Sequence, residues 1–147
     1  MKNLSTCILH NDPECDLSTN YLIEQQLTYF CGSAPQCRQI GNVQALNQAK
    51  YNAEMYYAVI GVTEHFRISL ALFEKFLPRY FTGLLRLYGR QQYLHQANDK
   101  VSTNKQPITN EARQHLEKKL SLDMEFYDFI LQRLFNQAIK SGVLPLP

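Results

Sequence analysis

The hydrophobic and polar positions divide the chain into an irregular first part and a largely helical remainder. Cys, Pro, Gly, Asn and Asp are scattered through residues 1–43, which predicts an irregular segment with one short helix or extended piece at residues 21–30. Residues 43–55 are mostly good helix formers without a breaker, so we predict a helix there.

An almost continuous apolar run at residues 56–63 predicts a buried strand of a mostly parallel sheet. The run reads Tyr-Tyr-Ala-Val-Ile-Gly-Val-Thr and is rich in β-favouring residues. A single strand cannot form a sheet, and the sequence contains no second run of comparable strength. We therefore expect the partner strands to come from polypeptide outside this sequence.

Apolar residues at helical spacing follow the predicted strand. They predict a helix at residues 64–77, stopped by Pro78, and a second helix at residues 79–88. The polar stretch 89–106 is predicted to be a loop, and residues 110–140 a long helix ended by Gly142. One apolar stripe is expected along the long helix, formed by Leu116, Leu120, Met124, Tyr127, Leu131, Leu134 and Ala138.

Length and composition allow one ordinary globular domain. The 147 residues are 45% hydrophobic, which is enough for a buried core. Fifteen Lys and Arg against thirteen Asp and Glu give a net charge of +2, so the charge balance does not indicate a nucleic-acid-binding protein. No apolar run reaches the roughly 20 residues that a membrane helix needs, and residues 1–7 lack the apolar stretch of a signal peptide.

Four cysteines lie in the first quarter of the chain, at positions 7, 15, 31 and 37. Their spacing differs from the paired cysteines of zinc sites, so no metal is predicted. Two local disulfides, Cys7–Cys15 and Cys31–Cys37, are the economical interpretation. Three pairings remain open, and four free thiols in a cytosolic protein are the alternative. Asn3-Leu4-Ser5 is a glycosylation sequon and agrees with an oxidising compartment.

The sequence contains none of the familiar phosphate-loop, dinucleotide-binding or nucleophile-elbow motifs. None of the four histidines pairs with another at metal-ligand spacing, although His65 follows the predicted strand at the edge where α/β sites collect. In the polar loop, the hydroxyls of Ser102 and Thr103 and the ammonium groups of Lys100 and Lys105 are able to bind a phosphate. Composition alone favours an ordinary surface loop over this site.

Several stretches, read in order, resemble the uronyl 2-O-sulfotransferases, the family that includes heparan sulfate 2-O-sulfotransferase, uronyl 2-sulfotransferase and the Pipe-like proteins. The matching stretches extend over nearly the whole chain, so together they identify the family more specifically than any single stretch does. The matching stretches are Asp12–Cys15 after Cys7, Tyr29–Gly32 before Cys37, Gln48–Asn52, Val59–Glu64, Leu77–Gly83, Leu87–Tyr88 and Glu125–Tyr127.

The resemblance implies an α/β fold, namely the C-terminal part of a P-loop-kinase-like sulfotransferase, mainly helical here with one core parallel strand. Residues 1–147 would form a single partial domain. It would consist of an irregular segment crosslinked by disulfides (1–43), helices with one strand (44–88), a nucleotide-binding loop (89–106), and a long C-terminal helix with a tail (107–147). The resemblance likewise implies the disulfides Cys7–Cys15 and Cys31–Cys37.

The resemblance also implies which residues bind the nucleotide. Tyr88 matches a family position that contacts the nucleotide. Ser102 and Lys105 match a Thr and a Lys three residues apart in the loop that closes over it, and Thr103 is the alternative to Ser102 because loop lengths differ.

In function, the resemblance implies transfer of sulfate from 3′-phosphoadenosine 5′-phosphosulfate to the 2-hydroxyl of a hexuronic acid in a glycosaminoglycan, without a metal. The implied enzyme is a homotrimeric type II membrane protein of the Golgi lumen, anchored upstream of this chain; the glycosylation expected at Asn3 comes from the sequon.

Departures from the family pattern point to an incomplete enzyme. The family's phosphate loop, catalytic histidine and anchor precede anything present here, and the trimer-forming extension is cut short after Lys140. We therefore expect a fragment with no catalytic residue of its own. The alternative is a non-catalytic, disulfide-stapled helical protein that binds a partner or a sulfated glycan.

Overall fold

The computed structural model describes residues 3–15, 26–95 and 107–144, with residues 91–95 described by their backbone only. Within these ranges the chain forms eight α-helices, three short 3-10 turns and no β-strand. The helices are α1 (Leu4–Leu9), α2 (Gln26–Cys31), α3 (Val43–Tyr56), α4 (Phe66–Phe76), α5 (Pro78–Phe81), α6 (Leu84–His95), α7 (Asn110–Lys119) and α8 (Ser121–Lys140). The 3-10 turns are Pro13–Cys15, Pro35–Arg38 and Thr63–His65.

The chain divides into two compact units, each built from two stretches of sequence. The first unit comprises Met1–Ala53 and Ser102–Tyr127, and the second comprises Glu54–Val101 and Asp128–Pro147.

In the first unit, α1 packs against α7. The Asn3 side chain caps α1 by accepting a hydrogen bond from Ser5 N at 2.9 Å. The buried Ser5 hydroxyl in turn accepts from Thr109 N at 3.0 Å. Because Thr109 is the N-cap residue of α7, one chain of hydrogen bonds fixes the starts of both helices.

The end of α2 is held by a side chain from α3. Asn52 Nδ2 lies 2.8 Å from Phe30 O and 3.0 Å from Cys31 O, two carbonyls that have no partner within the helix. The Phe30 ring packs at 5.1 Å, between centroids, on the fully buried ring of Phe126. This contact provides the apolar core beneath α2.

The start of α2 is held by a carboxylate. Asp123, in the first turn of α8, accepts a hydrogen bond from Leu27 N at 3.1 Å. Burial raises the pKa of the Asp123 carboxyl above its ordinary value, and the hydrogen bond from Leu27 lowers the pKa by less. The carboxylate therefore satisfies a backbone group but loses part of its hydration.

In the second unit, the segment predicted as a strand does not pair with another strand in the part of the chain that the structure describes. Side chains satisfy its backbone instead. Arg133 Nη2 donates to Tyr57 O at 2.6 Å, and Gln137 Nε2 donates to Ala58 O at 2.7 Å. The buried Ser69 hydroxyl lies 2.8 Å from Val62 N and 3.0 Å from Val62 O. The P-loop-kinase-like fold thus stays a prediction.

Several predicted boundaries shift. Helix α1 lies within the segment predicted as irregular, whereas α2 falls where a short helix or extended piece was predicted, at residues 21–30. The predicted helix 79–88 is broken at Gly83, whose φ of +83° ends α5. The next helix, α6, continues to His95 because its Arg and Gln residues favour helix, so the predicted loop 89–106 begins within a helix. The predicted long helix is interrupted at Leu120, which separates α7 from α8.

The apolar stripe predicted for the long helix is confirmed at Leu134 and Ala138 but is wrong at Met124. Met124 is 49% exposed, whereas Phe126 and Ile130 are buried together with Leu134 and Ala138. Two neighbouring stripes of α8 both carry apolar residues every three or four positions. Periodicity alone therefore does not decide which of the two faces the interior.

Gly61 is the position where a side chain would disturb the second unit most directly. A Cβ there would lie 3.0 Å from Phe73 Cε2 and 3.0 Å from Ser69 Cβ. Since the Ser69 hydroxyl is bonded to Val62, it cannot move without losing those hydrogen bonds. We expect Gly61→Ala to lower the free energy of unfolding by about 1–3 kcal/mol, measured by urea denaturation.

The matched control is Gly89→Ala in α6, where a Cβ would meet no atom within 4 Å. This change should raise stability, by at most about 1 kcal/mol, because alanine favours helix over glycine. Equal effects of the two substitutions would contradict the steric explanation for Gly61.

Asp123→Asn tests the cost of the buried charge, since the amide keeps an acceptor for Leu27 N–H. The pKa of Asp123 is higher in the folded state than in the unfolded state. The stability that this group adds is therefore fully present below its unfolded-state pKa and is lost as pH rises through its folded-state pKa. The free energy of unfolding of the wild type should therefore rise relative to that of Asp123→Asn as pH falls from neutrality toward about 4.

The companion variant Asp123→Leu removes the acceptor and leaves Leu27 N–H unpaired. This variant should lower the free energy of unfolding by about 1–3 kcal/mol across the same pH range. If the wild type instead lost stability relative to Asp123→Asn on acidification, the assigned effect of burial would be wrong.

Candidate functional site

Tyr88 is the one predicted nucleotide-binding residue that lies within the described ranges. It sits on α6, half-buried, with its ring 5.0 Å from that of Phe66 and tilted by 60°. Phe66 begins α4 and is 42% exposed. The two rings form an aromatic pair on the second unit, a surface able to pack against a planar base.

The other three predicted nucleotide-binding residues, Ser102, Thr103 and Lys105, lie outside the described residues. The structure therefore does not test whether they approach Tyr88. Their assignment stays a prediction.

The histidines whose side chains are described have separate surroundings. His65 lies in the 3-10 turn before α4 and packs edge-on against Phe135, with centroids 4.8 Å apart. His10 Nδ1 lies 2.9 Å from Thr6 O. His115 Nε2 is buried and has no hydrogen-bond partner among the described residues. No three His, Cys, Asp or Glu side chains in the described ranges are placed to hold a metal ion.

Both disulfides of the economical pairing are present in the structure. Cys7 of α1 is bonded to Cys15 in the following 3-10 turn, with Cα atoms 5.9 Å apart. Cys31, the last residue of α2, is bonded to Cys37 in the next turn, with Cα atoms 5.5 Å apart. Each bridge closes a short loop; the first ties the middle of α1 to the following turn, and the second fixes the last residue of α2.

The glycosylation sequon begins α1. Asn3 is exposed, which is compatible with a glycan, but its Oδ1 serves as the helix cap and the Ser5 hydroxyl is buried. Modification at Asn3 stays a prediction.

Sequence reasoning missed a cavity of about 400 Å³ in the second unit. Four of its lining residues recur at helical spacing along α8, and that polar stripe is the signal by which the sequence could have shown it. The others come from α3, from the end of α4 and from the turn after α8. The lining residues are Glu54, Phe76, Arg133, Asn136, Gln137, Lys140 and Ser141.

Comparison with known proteins gives a consistent result. The chain is 34% identical over 141 residues to human uronyl 2-sulfotransferase, and equally to the mouse protein. It is 31% identical over 134 residues to human heparan sulfate 2-O-sulfotransferase 1. These matches cover 96% and 90% of the chain, respectively. No protein-family model matches the sequence.

The chain belongs to the uronyl 2-O-sulfotransferase family. It spans about a third of the length of these relatives, 34% of the first and 36% of the other. Family membership agrees with the resemblance found in the sequence, whose matching stretches include all four cysteines and Tyr88. None of the helices in the described ranges is long and apolar enough to span a bilayer.

Among the residues that the structure describes, two places offer chemistry for a ligand. The aromatic pair Phe66–Tyr88 presents ring surface to a base. The cavity beside α8 presents cations, amides and a hydroxyl.

Proposed function

We propose that this chain is part of a sulfotransferase that transfers sulfate from 3′-phosphoadenosine 5′-phosphosulfate to the 2-hydroxyl of a hexuronic acid in a glycosaminoglycan. The observation that carries the proposal is the identity of 31–34% to proteins named as 2-O-sulfotransferases, over 90–96% of the chain. In the reaction, the sugar oxygen bonds to sulfur as the sulfur–oxygen bond to the phosphate breaks, and adenosine 3′,5′-bisphosphate leaves.

This part of the enzyme contributes to nucleotide binding. Tyr88, supported by Phe66, packs against the adenine ring. Ser102 or Thr103 donates a hydrogen bond to the phosphate groups, and the Lys105 ammonium neutralises their charge. The phosphate loop and the base that accepts the sugar proton come from polypeptide outside this sequence, so the chain alone is inactive.

The same proposal includes the fold and the compartment. Residues 56–63 pair with strands of a P-loop-kinase-like sheet contributed by the remainder of the enzyme. Val59 and Val62 are already buried, which supports an interior position for this segment. Two disulfides support an oxidising lumen, and we assign the enzyme to the Golgi as an anchored, Asn3-glycosylated homotrimer.

The direct test is sulfate transfer by the gene product purified from its own cells. The protein is incubated with ³⁵S-labelled 3′-phosphoadenosine 5′-phosphosulfate and a desulfated heparan or dermatan acceptor. The products are then cleaved to disaccharides. We expect label on the uronic acid at position 2. Label on the glucosamine or galactosamine alone, or no transfer with any uronic-acid acceptor, would contradict the proposal.

The role of the loop is tested by Lys105→Met. Loss of a charge-assisted contact of about 1.5–3 kcal/mol should weaken binding of adenosine 3′,5′-bisphosphate by roughly 10- to 100-fold, measured by calorimetry on the active enzyme. Lys100→Met, in the same stretch, removes an equal charge and should leave the affinity nearly unchanged. Equal losses in the two variants would show a general charge effect instead of a specific contact.

Two further variants, measured in the same assay, decide whether Ser102 or Thr103 is the residue that donates to the phosphate. Ser102→Ala should weaken nucleotide binding if Ser102 donates to the phosphate, and Thr103→Val if Thr103 does. If neither variant changes the affinity, the loop assignment is wrong.

A further inference from the structure

The cavity beside α8 is lined by a polar face of that helix. Arg133, Asn136, Gln137 and Lys140 are three or four positions apart and therefore lie on one side of it. Its volume of about 400 Å³ falls within the range of about 300–1,000 Å³ usual for small-ligand sites. It is open to solvent.

Two of the polar groups are fixed before any ligand arrives. Arg133 donates to Tyr57 O at 2.6 Å, and its Nε lies 3.9 Å from Glu54 Oε1. The Gln137 amide is fixed by its hydrogen bond to Ala58 O at 2.7 Å. Because a guanidinium carries five N–H donors, Arg133 retains donors for a ligand while its position is held.

Other groups on the wall are unengaged. The side chains of Asn136 and Lys140 are exposed and make no hydrogen bond or ion pair with another side chain or backbone group in the described ranges. The lining thus carries two cations, Arg133 and Lys140, against the one carboxylate of Glu54, and this net positive charge favours an anion.

Phe76 provides the apolar part of the wall. It ends α4 and is 42% exposed, so its ring is accessible from the cavity. An exposed ring beside amides and cations suits a ligand with both an apolar face and polar edges. A pyranose ring has this character, because its C–H groups form a face and its hydroxyl and acidic groups lie at the edge.

We propose that this cavity binds an acidic sugar unit of the glycan acceptor, at a distance along the polymer from the unit that is sulfated. The inference rests on the proposed function for the class of ligand. Lys140 and Arg133 pair with the carboxylate or sulfate, Asn136 binds a hydroxyl, and Phe76 packs against the ring. Because the acceptor is a long polyanion, a second contact raises its affinity without taking part in the reaction.

The test compares Lys140→Ala with Lys119→Ala in the complete enzyme. Both lysines are exposed and lie in the last turn of a helix, α8 and α7 respectively, so each variant loses the same charge in a similar setting. Binding of a heparin-derived octasaccharide is measured by calorimetry. We expect Lys140→Ala to raise Kd about 3- to 10-fold and to make Kd less salt-dependent, and Lys119→Ala to change neither.

A second variant, Asn136→Ala, removes a neutral contact and should raise Kd without altering its salt dependence. A neutral oligosaccharide of the same length should bind none of the proteins measurably. Wild-type affinity in Lys140→Ala, or the same loss in Lys119→Ala, would overturn the proposal.

Kinetic measurements separate this proposal from the proposed function. With an octasaccharide acceptor, Lys140→Ala should raise KM and leave kcat unchanged. Sulfate transfer with an unaltered KM in Lys140→Ala would overturn the cavity proposal alone. Binding of the octasaccharide through Lys140 without any sulfate transfer would overturn the proposed enzyme and support the cavity.

Discussion

The second unit depends on how the backbone of residues 57–62 is satisfied. These residues are apolar and partly buried, so their N–H and C=O groups need partners. Arg133 and Gln137 on α8, and Ser69 on α4, provide hydrogen bonds to Tyr57, Ala58 and Val62. The same bonds tie two helices to the segment between α3 and α4. They also fix two side chains of the cavity, so structure and ligand site share the same residues.

The first unit solves a similar problem at helix ends. Short helices such as α2 have more unpaired end groups than internal hydrogen bonds. Asp123 satisfies the start of α2 and Asn52 its end, and the Cys31–Cys37 bridge fixes the residue at which it stops. Such helices do not persist by propensity alone, and contacts from distant parts of the sequence make them stable.

The sequence contained local information that predicted much of this structure. Helix formers without breakers placed α3 within a residue of its observed bounds, and cysteine spacing gave an economical disulfide pairing. Local patterns did not predict the contacts between residues that are far apart in the sequence. A strand needs a partner, which no local run specifies, and the buried stripe of α8 depends on what packs against it. The polar stripe of α8 is visible in the sequence, but that Glu54 and Phe76 join Lys140 around one cavity is shown only by their spatial arrangement.

The two candidate ligand surfaces differ in what their residues can achieve. The Phe66–Tyr88 pair offers ring area and little charge, which suits a base already held elsewhere by its phosphates. The cavity beside α8 offers cations on a rigid face and suits a flexible polyanion, whose entropy loss must be offset at several points. An enzyme acting on a polymer needs both properties, since the small donor must be oriented closely while the acceptor need only be retained. Arg133 connects this retention to the fold, because the guanidinium that would contact an acidic sugar already holds the Tyr57 carbonyl.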